Sequence, residues 1–164
     1  TQQKILRELE KKIIKKKIKI LIDVGSHKGE YISSLKSRFY IDNIFGFEPN
    51  PNVFQILKKR FKDSNIHLFN QGISDTSGYI QLNKNLDSSS SSINNLNTES
   101  KYYKKKYFFL NILNLKQVST KIDIHVLRLD ELINKNNIKK IDLLKIDTEG
   151  YEFKVLKSIG ENQV

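Results

Sequence analysis

The chain has 164 residues, which is enough for one domain with a hydrophobic core and too few for two. Its hydrophobic content of 38% is typical of a folded domain rather than of a disordered segment. The absence of cysteine excludes disulfides, thiolate metal sites and a cysteine nucleophile. No run of about 18 apolar residues and no secretory signal are present, so we expect no transmembrane segment and a cytoplasmic location.

The net charge of +11 is concentrated in two stretches of the chain. Residues 1–20 hold eight Lys and Arg against two Glu, and residues 101–107 add four lysines. The remaining residues are nearly neutral, so the domain lacks the broad basic face that tracks nucleic-acid phosphates. We therefore interpret the charge as solvated lysine-rich segments, and nucleic acid is not an expected partner.

Residues 1–17 predict a basic amphipathic helix that packs on the domain. Its apolar residues repeat near helical spacing with lysines between them, namely Ile5, Leu6, Leu9, Ile13 and Ile14. The rest of the chain, residues 18–164, predicts a single domain. Its pattern changes at Ile18 to the β-branched run IKILIDVG, which is typical of a buried strand followed by a tight turn at Gly25.

Strands and helices then alternate along the chain. Strands are predicted at residues 44–47 and 66–69, and helices at residues 32–39 and 53–61. Repeated strand-and-helix units with right-handed crossovers predict a doubly wound α/β fold with a mainly parallel sheet and flanking helices. The carboxyl ends of the strands should then lie along one edge of the sheet.

The second half of the domain predicts a strand at residues 79–82, a biased polar and aromatic insertion at residues 85–122 and a strand at residues 124–129. We interpret the insertion as a lid or substrate loop, since long insertions in compact domains are usually functional or disordered. Asp130 is expected to cap a short helix that reaches about residue 134. The last predicted elements are a strand at residues 141–146 and a helix at residues 152–159.

The strand at residues 141–146 should lie beside the first strand, with its other edge uncovered. Because an open parallel edge promotes aggregation, we expect further strands in the natural protein or a partner at this edge, including self-association. The chain begins with Thr and contains no methionine, so we expect it to be part of a longer protein.

Acidic and glycine residues follow the first two predicted strands, where ligands bind in open parallel sheets. Asp23 precedes Gly25 and Gly29, and Glu48 follows the second strand, where it can accept hydrogen bonds from both hydroxyls of a ribose. A ribose-binding acid occurs in both NAD and S-adenosylmethionine sites, so Glu48 alone does not choose between them. The glycine spacing is G-x-x-x-G rather than G-x-G-x-x-G, and Asp23 would repel a pyrophosphate but suit an ammonium group.

The ordered set of motifs LIDVGSHKGEY, FGFEPNP, NQGISDTSG, SSSSI, LRLDELI and LLKIDTEGYEFKVLKSI resembles the FkbM-type methyltransferases, a family of Rossmann-like S-adenosylmethionine-dependent enzymes. The resemblance covers most of residues 18–160. It implies S-adenosylmethionine as the cofactor and places several residues around it: Asp23, Gly25, Ser26 and Gly29 at the methionine part, Glu48 at the ribose, Gln71 and Gly72 at the adenine, and Asp147, Glu149 and Gly150 beside the methyl group. His27 and Lys28 depart from the smaller or amide residues that the family often has there.

An acceptor hydroxyl must lose its proton during methyl transfer, and three residues are the catalytic candidates. Asp147 is the first, with Glu149 beside it, and His27 is another because an imidazole side chain can serve as a general base near neutral pH. The turn Asp147-Thr148-Glu149-Gly150 differs from the N/D-P-P-Y/F turn of amino-group methylation, which favours a hydroxyl of a sugar, glycan or secondary metabolite as the acceptor.

Several alternatives stay open. Asp23, Glu48 and Asp147 can each cap a following helix. Asp147 and Glu149 can bind a divalent metal, although no third ligand is evident and no metal site is predicted. At the level of function, the alternative to an enzyme is a non-catalytic module that binds an anionic glycan or RNA through the basic segments.

Overall fold

The structure is a computed structural model that describes residues 2–13, 17–84, 120–148 and 150–160. These residues form twelve helices and strands of an α/β fold. In chain order the elements are α1 (Gln2–Lys12), β1 (Lys17–Val24), α2 (Glu30–Lys36), β2 (Tyr40–Phe47), α3 (Pro51–Arg60), β3 (Ile66–Phe69), β4 (Gly72–Ile73), β5 (Gly78–Lys84), β6 (Thr120–Leu127), α4 (Leu129–Lys135), β7 (Leu143–Ile146) and α5 (Glu152–Lys157).

The main sheet is parallel throughout and has the strand order β3-β2-β1-β7. In its register Asp23 of β1 lies between Gly46 of β2 and Lys145 of β7. The order confirms the predicted mainly parallel α/β fold, including the position of the strand near residue 143 beside the first strand. In a second sheet, β6 pairs parallel with β4 and antiparallel with β5.

Two hydrophobic layers cover the two faces of the main sheet, which explains the continuous apolar run at residues 20–22 of β1. On one face Ile18 and Leu21 pack with α1, α2 and α3. On the other face Ile22 and Val24 pack with α4 and α5. Burial on both sides fixes the strand positions and presents the carboxyl ends of the strands at one edge of the sheet.

Several predicted boundaries change in the structure. The basic helix ends at Lys12 rather than at residue 17, because Lys17 already pairs with β2. Helix α4 begins at Leu129 after Arg128, and the predicted cap Asp130 instead accepts hydrogen bonds from the Arg128 guanidinium. Residues 120–122 of the predicted insertion belong to β6, and residues 85–119 lie outside the described residues.

The predicted uncovered edge corresponds to β7, which pairs with β1 alone among the described strands. None of the helices within the described ranges is long and apolar enough to cross a membrane.

We expect Leu6→Ala to lower the free energy of unfolding by about 2–5 kcal/mol, since Leu6 is completely buried against the sheet and truncation leaves a cavity. Its neighbour Ile5 is 55% exposed, so Ile5→Ala should change the same quantity by less than about 1 kcal/mol. Urea unfolding followed by circular dichroism measures both variants. Equal effects of the two substitutions would show that α1 does not contribute to the core.

Candidate functional site

A cavity of about 690 Å³ opens at the carboxyl ends of β1, β2 and β7. This is the position at which open parallel sheets bind ligands, and the volume suits a small molecule of nucleoside size or larger. The lining includes six of the residues that the sequence singled out: Gly25, Ser26, His27, Glu48, Gly72 and Asp147. Tyr31, Phe47 and Tyr151 add aromatic surface to the walls, and sequence reasoning had assigned them no role.

Gly25 brings the loop after β1 into direct contact with the loop after β7. Its φ of +79° is left-handed, and a Cβ at this position would lie 2.0 Å from the carbonyl oxygen of Asp147. Both observations require glycine, because a side chain would force the two loops apart. The tight turn that the sequence predicts at Gly25 therefore lies against the backbone of the β7 loop.

The backbone N–H groups of the loop after β1 are largely used within the protein. Gly25 and Ser26 both donate to the carbonyl oxygen of Phe47, at 3.0 Å and 2.8 Å, and Gly29 donates to the Ser26 carbonyl at 2.8 Å. His27 N donates to Glu48 Oε2 at 3.0 Å. A pyrophosphate site needs such N–H groups directed at the ligand. Four N–H groups of this loop are therefore already engaged within the protein.

Gly29 has a packing role that differs from the predicted contact with the cofactor. Its φ is +81°, and a Cβ there would lie 2.2 Å from Phe61 Cε2 and 2.9 Å from Leu57 Cδ1. Gly29 does not belong to the residues that line the cavity. The structure places this glycine at the start of α2, where it allows the helix to approach α3.

Glu48 is a buried carboxylate that is held by backbone donors. Its Oε2 accepts from His27 N, and its Oε1 accepts from Asn50 N at 2.8 Å. Burial raises the pKa of Glu48 above its ordinary value, while the two backbone hydrogen bonds oppose this rise. Glu48 does not cap α3, because the cap is Asn50, whose side chain accepts from Asn52 N at 3.1 Å.

Asp23 lies below the cavity surface rather than at its mouth. Its side chain is fully buried, and Oδ1 lies 2.9 Å from the ammonium nitrogen of Lys145. Neither carboxylate oxygen accepts a hydrogen bond of good geometry from the described residues. Burial raises the pKa of Asp23, and Lys145 acts in the opposite direction. The carboxylate for which the sequence predicts a ligand ammonium as partner thus lies in an ion pair within the protein.

Lys145 is the residue of the site that sequence reasoning missed. It lines the cavity, its side chain is 14% exposed, and Nζ donates to the carbonyl oxygen of Gly25 at 2.6 Å. Its ammonium also lies 4.0 Å from Asp147 Oδ2 and 5.7 Å from the centre of the Tyr31 ring. The available signal was the lysine of the motif LLKIDTEG, two residues before the predicted Asp147.

Asp147 follows β7 with its backbone fixed and its side chain open to solvent. Its N–H donates to the Val24 carbonyl at 3.0 Å, and its side chain is 73% exposed. It does not cap α5, since the Glu152 carboxylate accepts from Thr148 N and Gly150 N. The second predicted acid of this turn, Glu149, lies outside the described residues.

His27 and the residues after β3 complete the predicted set. His27 lines the cavity with a φ of +50°, and its Nδ1 lies 3.4 Å from Glu30 Oε2. Gly72 lines the cavity, whereas the Gln71 side chain points to His125, with 2.6 Å between Nε2 and Nδ1. Any contact of Gln71 with a ligand would therefore have to use its backbone.

The charged side chains on the cavity wall are mostly acidic. Glu30, Glu48 and Asp147 contribute carboxylates, and Lys145 contributes the cation. Together with the aromatic and aliphatic wall, this arrangement suits a ligand that carries positive charge and a flat ring. The residues therefore fit an adenosyl sulfonium better than a dinucleotide. Among the described residues no three His, Asp or Glu side chains are grouped for metal binding.

The fold agrees with the family found by comparison. The model of the Methyltransferase FkbM domain matches residues 23–164, so the chain belongs to the FkbM methyltransferase family. The crystal structure of Methyltransferase FkbM from Methylobacillus flagellatus KT superimposes with a TM-score of 0.51 at 17% identity. The match covers 87% of this chain and 29% of that chain, and it supports the fold.

Two relatives share sequence similarity over most of this chain. Methyltransferase 1 of Beauveria bassiana is 26% identical over 149 residues, which are 86% of this chain and 58% of the relative. Hexuronic acid methyltransferase AglP of Haloferax volcanii is 27% identical over 144 residues, which are 85% of this chain and 49% of the relative. The chain thus spans about half the length of these relatives.

We expect Gly25→Ala to lower the free energy of unfolding by more than about 3 kcal/mol. The left-handed backbone of an alanine at this position costs about 1–3 kcal/mol, and its Cβ would in addition displace the Asp147 carbonyl. Gly78→Ala is the matched control, since Gly78 also has a positive φ (+139°) but nothing lies within 4 Å of its added Cβ. Thermal and urea unfolding compare the two variants. If both lose the same stability, the contact between the two loops does not constrain the site.

Proposed function

We propose that this chain forms the cofactor-binding domain of an S-adenosylmethionine-dependent O-methyltransferase that acts on a hydroxyl of a sugar, a glycan or a secondary metabolite. The observation that carries the proposal is the buried Glu48 carboxylate on the cavity wall, beside a glycine loop whose own N–H groups are already bonded. This combination favours an adenosyl cation and disfavours a pyrophosphate.

Glu48 would hold the ribose of the cofactor. Its two oxygens each accept one backbone hydrogen bond, from His27 N and Asn50 N, and each retains lone pairs for a further donor. The backbone bonds orient the carboxylate before a ligand arrives, so little conformational freedom is lost on binding. The neighbouring Gly72, Phe47 and Ile73 offer a mostly apolar surface for an adenine ring.

Asp147 would act on the acceptor rather than on the ribose. The sulfonium supplies a methyl group that is already reactive, so the protein has to position the acceptor oxygen and remove its proton. The exposed carboxylate of Asp147 can accept that proton as the oxygen–carbon bond forms and the carbon–sulfur bond breaks. His27 is the second candidate on the same cavity, and Glu149 stays a proposal from the family resemblance.

The class of acceptor is supported by the relative from Haloferax volcanii, which is a hexuronic acid methyltransferase. Sugar acids present hydroxyl and carboxylate oxygens, and the turn at Asp147 lacks the prolines of amino-group methylation. We therefore propose oxygen rather than nitrogen as the accepting atom. Because this chain spans only about half the length of the relatives, the residues that bind the acceptor are proposed to lie partly outside it.

Glu48→Gln should weaken binding of S-adenosylmethionine by about 10–100-fold, since hydrogen bonds to a buried charged acceptor are lost. Isothermal titration calorimetry measures this loss. Glu30→Gln is the matched control, because it removes the same charge from the cavity wall where the side chain is half exposed. We expect less than about threefold weakening for the control.

The same titration distinguishes the proposal from its competitors. Wild-type protein should bind NAD at least about 100-fold more weakly than S-adenosylmethionine, because the acidic cavity wall repels a pyrophosphate and four N–H groups of the loop are already bonded. Tight binding of NAD without binding of S-adenosylmethionine would overturn the proposed function. Equal losses in both glutamine variants would remove the assigned role of Glu48.

Asp147→Asn should lower kcat by about 10²–10⁴-fold, because an amide cannot accept the proton of the acceptor hydroxyl. The assay is methyl transfer to an acceptor selected from oligosaccharides that contain hexuronic acid. Asp123→Asn serves as the control, since Asp123 is exposed on β6 and does not line the cavity. An unchanged kcat in Asp147→Asn would show that Asp147 is not the general base and that another residue accepts the proton.

A further inference from the structure

We infer that Lys145 binds the carboxylate of the amino-acid portion of the cofactor, and that the buried Asp23 is the positioning residue that holds Lys145 in place. This inference rests on the proposed function, since it concerns the same cavity. Lys145 lines the cavity while Asp23 does not, and their side chains are in contact at 2.9 Å. Asp23 therefore acts on a ligand through Lys145 and not directly.

The ammonium of Lys145 has donor capacity to spare. It carries three N–H groups, and one of them donates to the Gly25 carbonyl at 2.6 Å. A second faces Asp23 Oδ1 as an ion pair. The nearest further anionic group among the described residues is Asp147 Oδ2 at 4.0 Å, which is beyond hydrogen-bond distance. One N–H group is thus left for an acceptor that enters the cavity.

The surroundings fix the position of this ammonium. The Gly25 carbonyl and Asp23 hold it from the β1 side, and the Tyr31 ring lies 5.7 Å from it, within the range of a cation–π contact. The side chain extends from β7 in register with Asp23 of β1. A lysine with these contacts loses little rotamer freedom on binding a ligand, since its freedom was already lost on folding.

The charge of the neighbourhood explains why a carboxylate is the matching group. The other charged side chains named on the wall are acids, so they attract the cationic groups of a ligand and repel its anionic group. The positively charged ammonium of Lys145 is the group on this wall that can bind a ligand carboxylate. The nearby Asp147 carboxylate opposes this only weakly, because its side chain is 73% exposed and solvent screens it.

The experiment compares two ligands that differ only in the carboxylate, S-adenosylhomocysteine and its decarboxylated analogue, by calorimetry on the full chain. Wild-type protein should bind S-adenosylhomocysteine about 10–100-fold more tightly than the analogue. In Lys145→Met this ratio should fall to about 1–3, since the variant loses the ammonium but not the aliphatic stem. Lys145→Arg should retain at least part of the preference.

Removal of Lys145 leaves Asp23 buried without its counter-charge, so the single variant can lose stability. A second pair of variants avoids this problem: Asp23→Asn keeps the lysine, and Asp23→Asn/Lys145→Met removes both charges. The affinity for S-adenosylhomocysteine divided by the affinity for its decarboxylated analogue should be above about 5 in Asp23→Asn and about 1–3 in the double variant. Unfolding curves establish that each variant is folded at the temperature of the titration.

The outcomes separate this inference from the proposed function. If wild-type protein binds neither ligand, the proposed function fails and the inference fails with it. If wild-type protein binds both ligands equally, or if Lys145→Met weakens both by the same factor, the proposed function stands and the inference is wrong. A loss of the ratio in both lysine-to-methionine backgrounds supports the assignment of Lys145 to the carboxylate.

Discussion

The ion pair between Asp23 and Lys145 is the interaction on which the site depends. The two residues are direct neighbours on parallel strands β1 and β7, and the Asp23 carboxylate is completely buried there. Two charges in such a place cost desolvation energy, and apolar residues of similar size would serve stability equally well or better. Removal of either partner would leave the other charge uncompensated, at a cost of about 3–5 kcal/mol. The pair therefore constrains both strand ends together, immediately below the cavity.

Three loops meet above this pair, and their backbones fix one another. The Lys145 ammonium holds the Gly25 carbonyl from the side of β7, and the Phe47 carbonyl holds the N–H groups of Gly25 and Ser26 from the side of β2. Glu48 then accepts from His27 N, which ties the second loop to the first. Within the described residues, the floor and one wall of the cavity are consequently set by hydrogen bonds that each involve the backbone of the loop after β1.

The sequence alone was sufficient to predict the parallel sheet, but it was not sufficient to predict which charged residues pair within that sheet. The apolar runs that end in Asp23, Glu48 and Asp147 predict parallel strands whose ends meet, because periodicity and right-handed crossovers leave few other topologies. The pairing of Asp23 with Lys145 requires the register of two strands far apart in sequence, which no local pattern contains. Gly25 and Gly29 look alike in sequence, yet one approaches the β7 loop and the other packs on Phe61. The helix boundary near Lys17 was misplaced because lysines suit the end of a helix and the start of an exposed strand alike.

Buried acids at a strand edge also bear on the kind of ligand that this fold can accept. Burial raises the pKa of both Asp23 and Glu48. Keeping these two carboxylates ionised therefore costs free energy and does not stabilise the fold. Asp23 is compensated by Lys145, whereas Glu48 accepts two backbone hydrogen bonds and is attracted by Lys145 without direct contact. A ligand with hydroxyl donors and a positive charge would supply Glu48 with further hydrogen bonds and with a counter-charge. A polyanionic ligand would add to the repulsion, and the loop that would have to bind its phosphates has already used its N–H groups on Phe47 and Glu48. The local cost at Glu48 is thus of the kind that proteins accept at binding sites and avoid elsewhere.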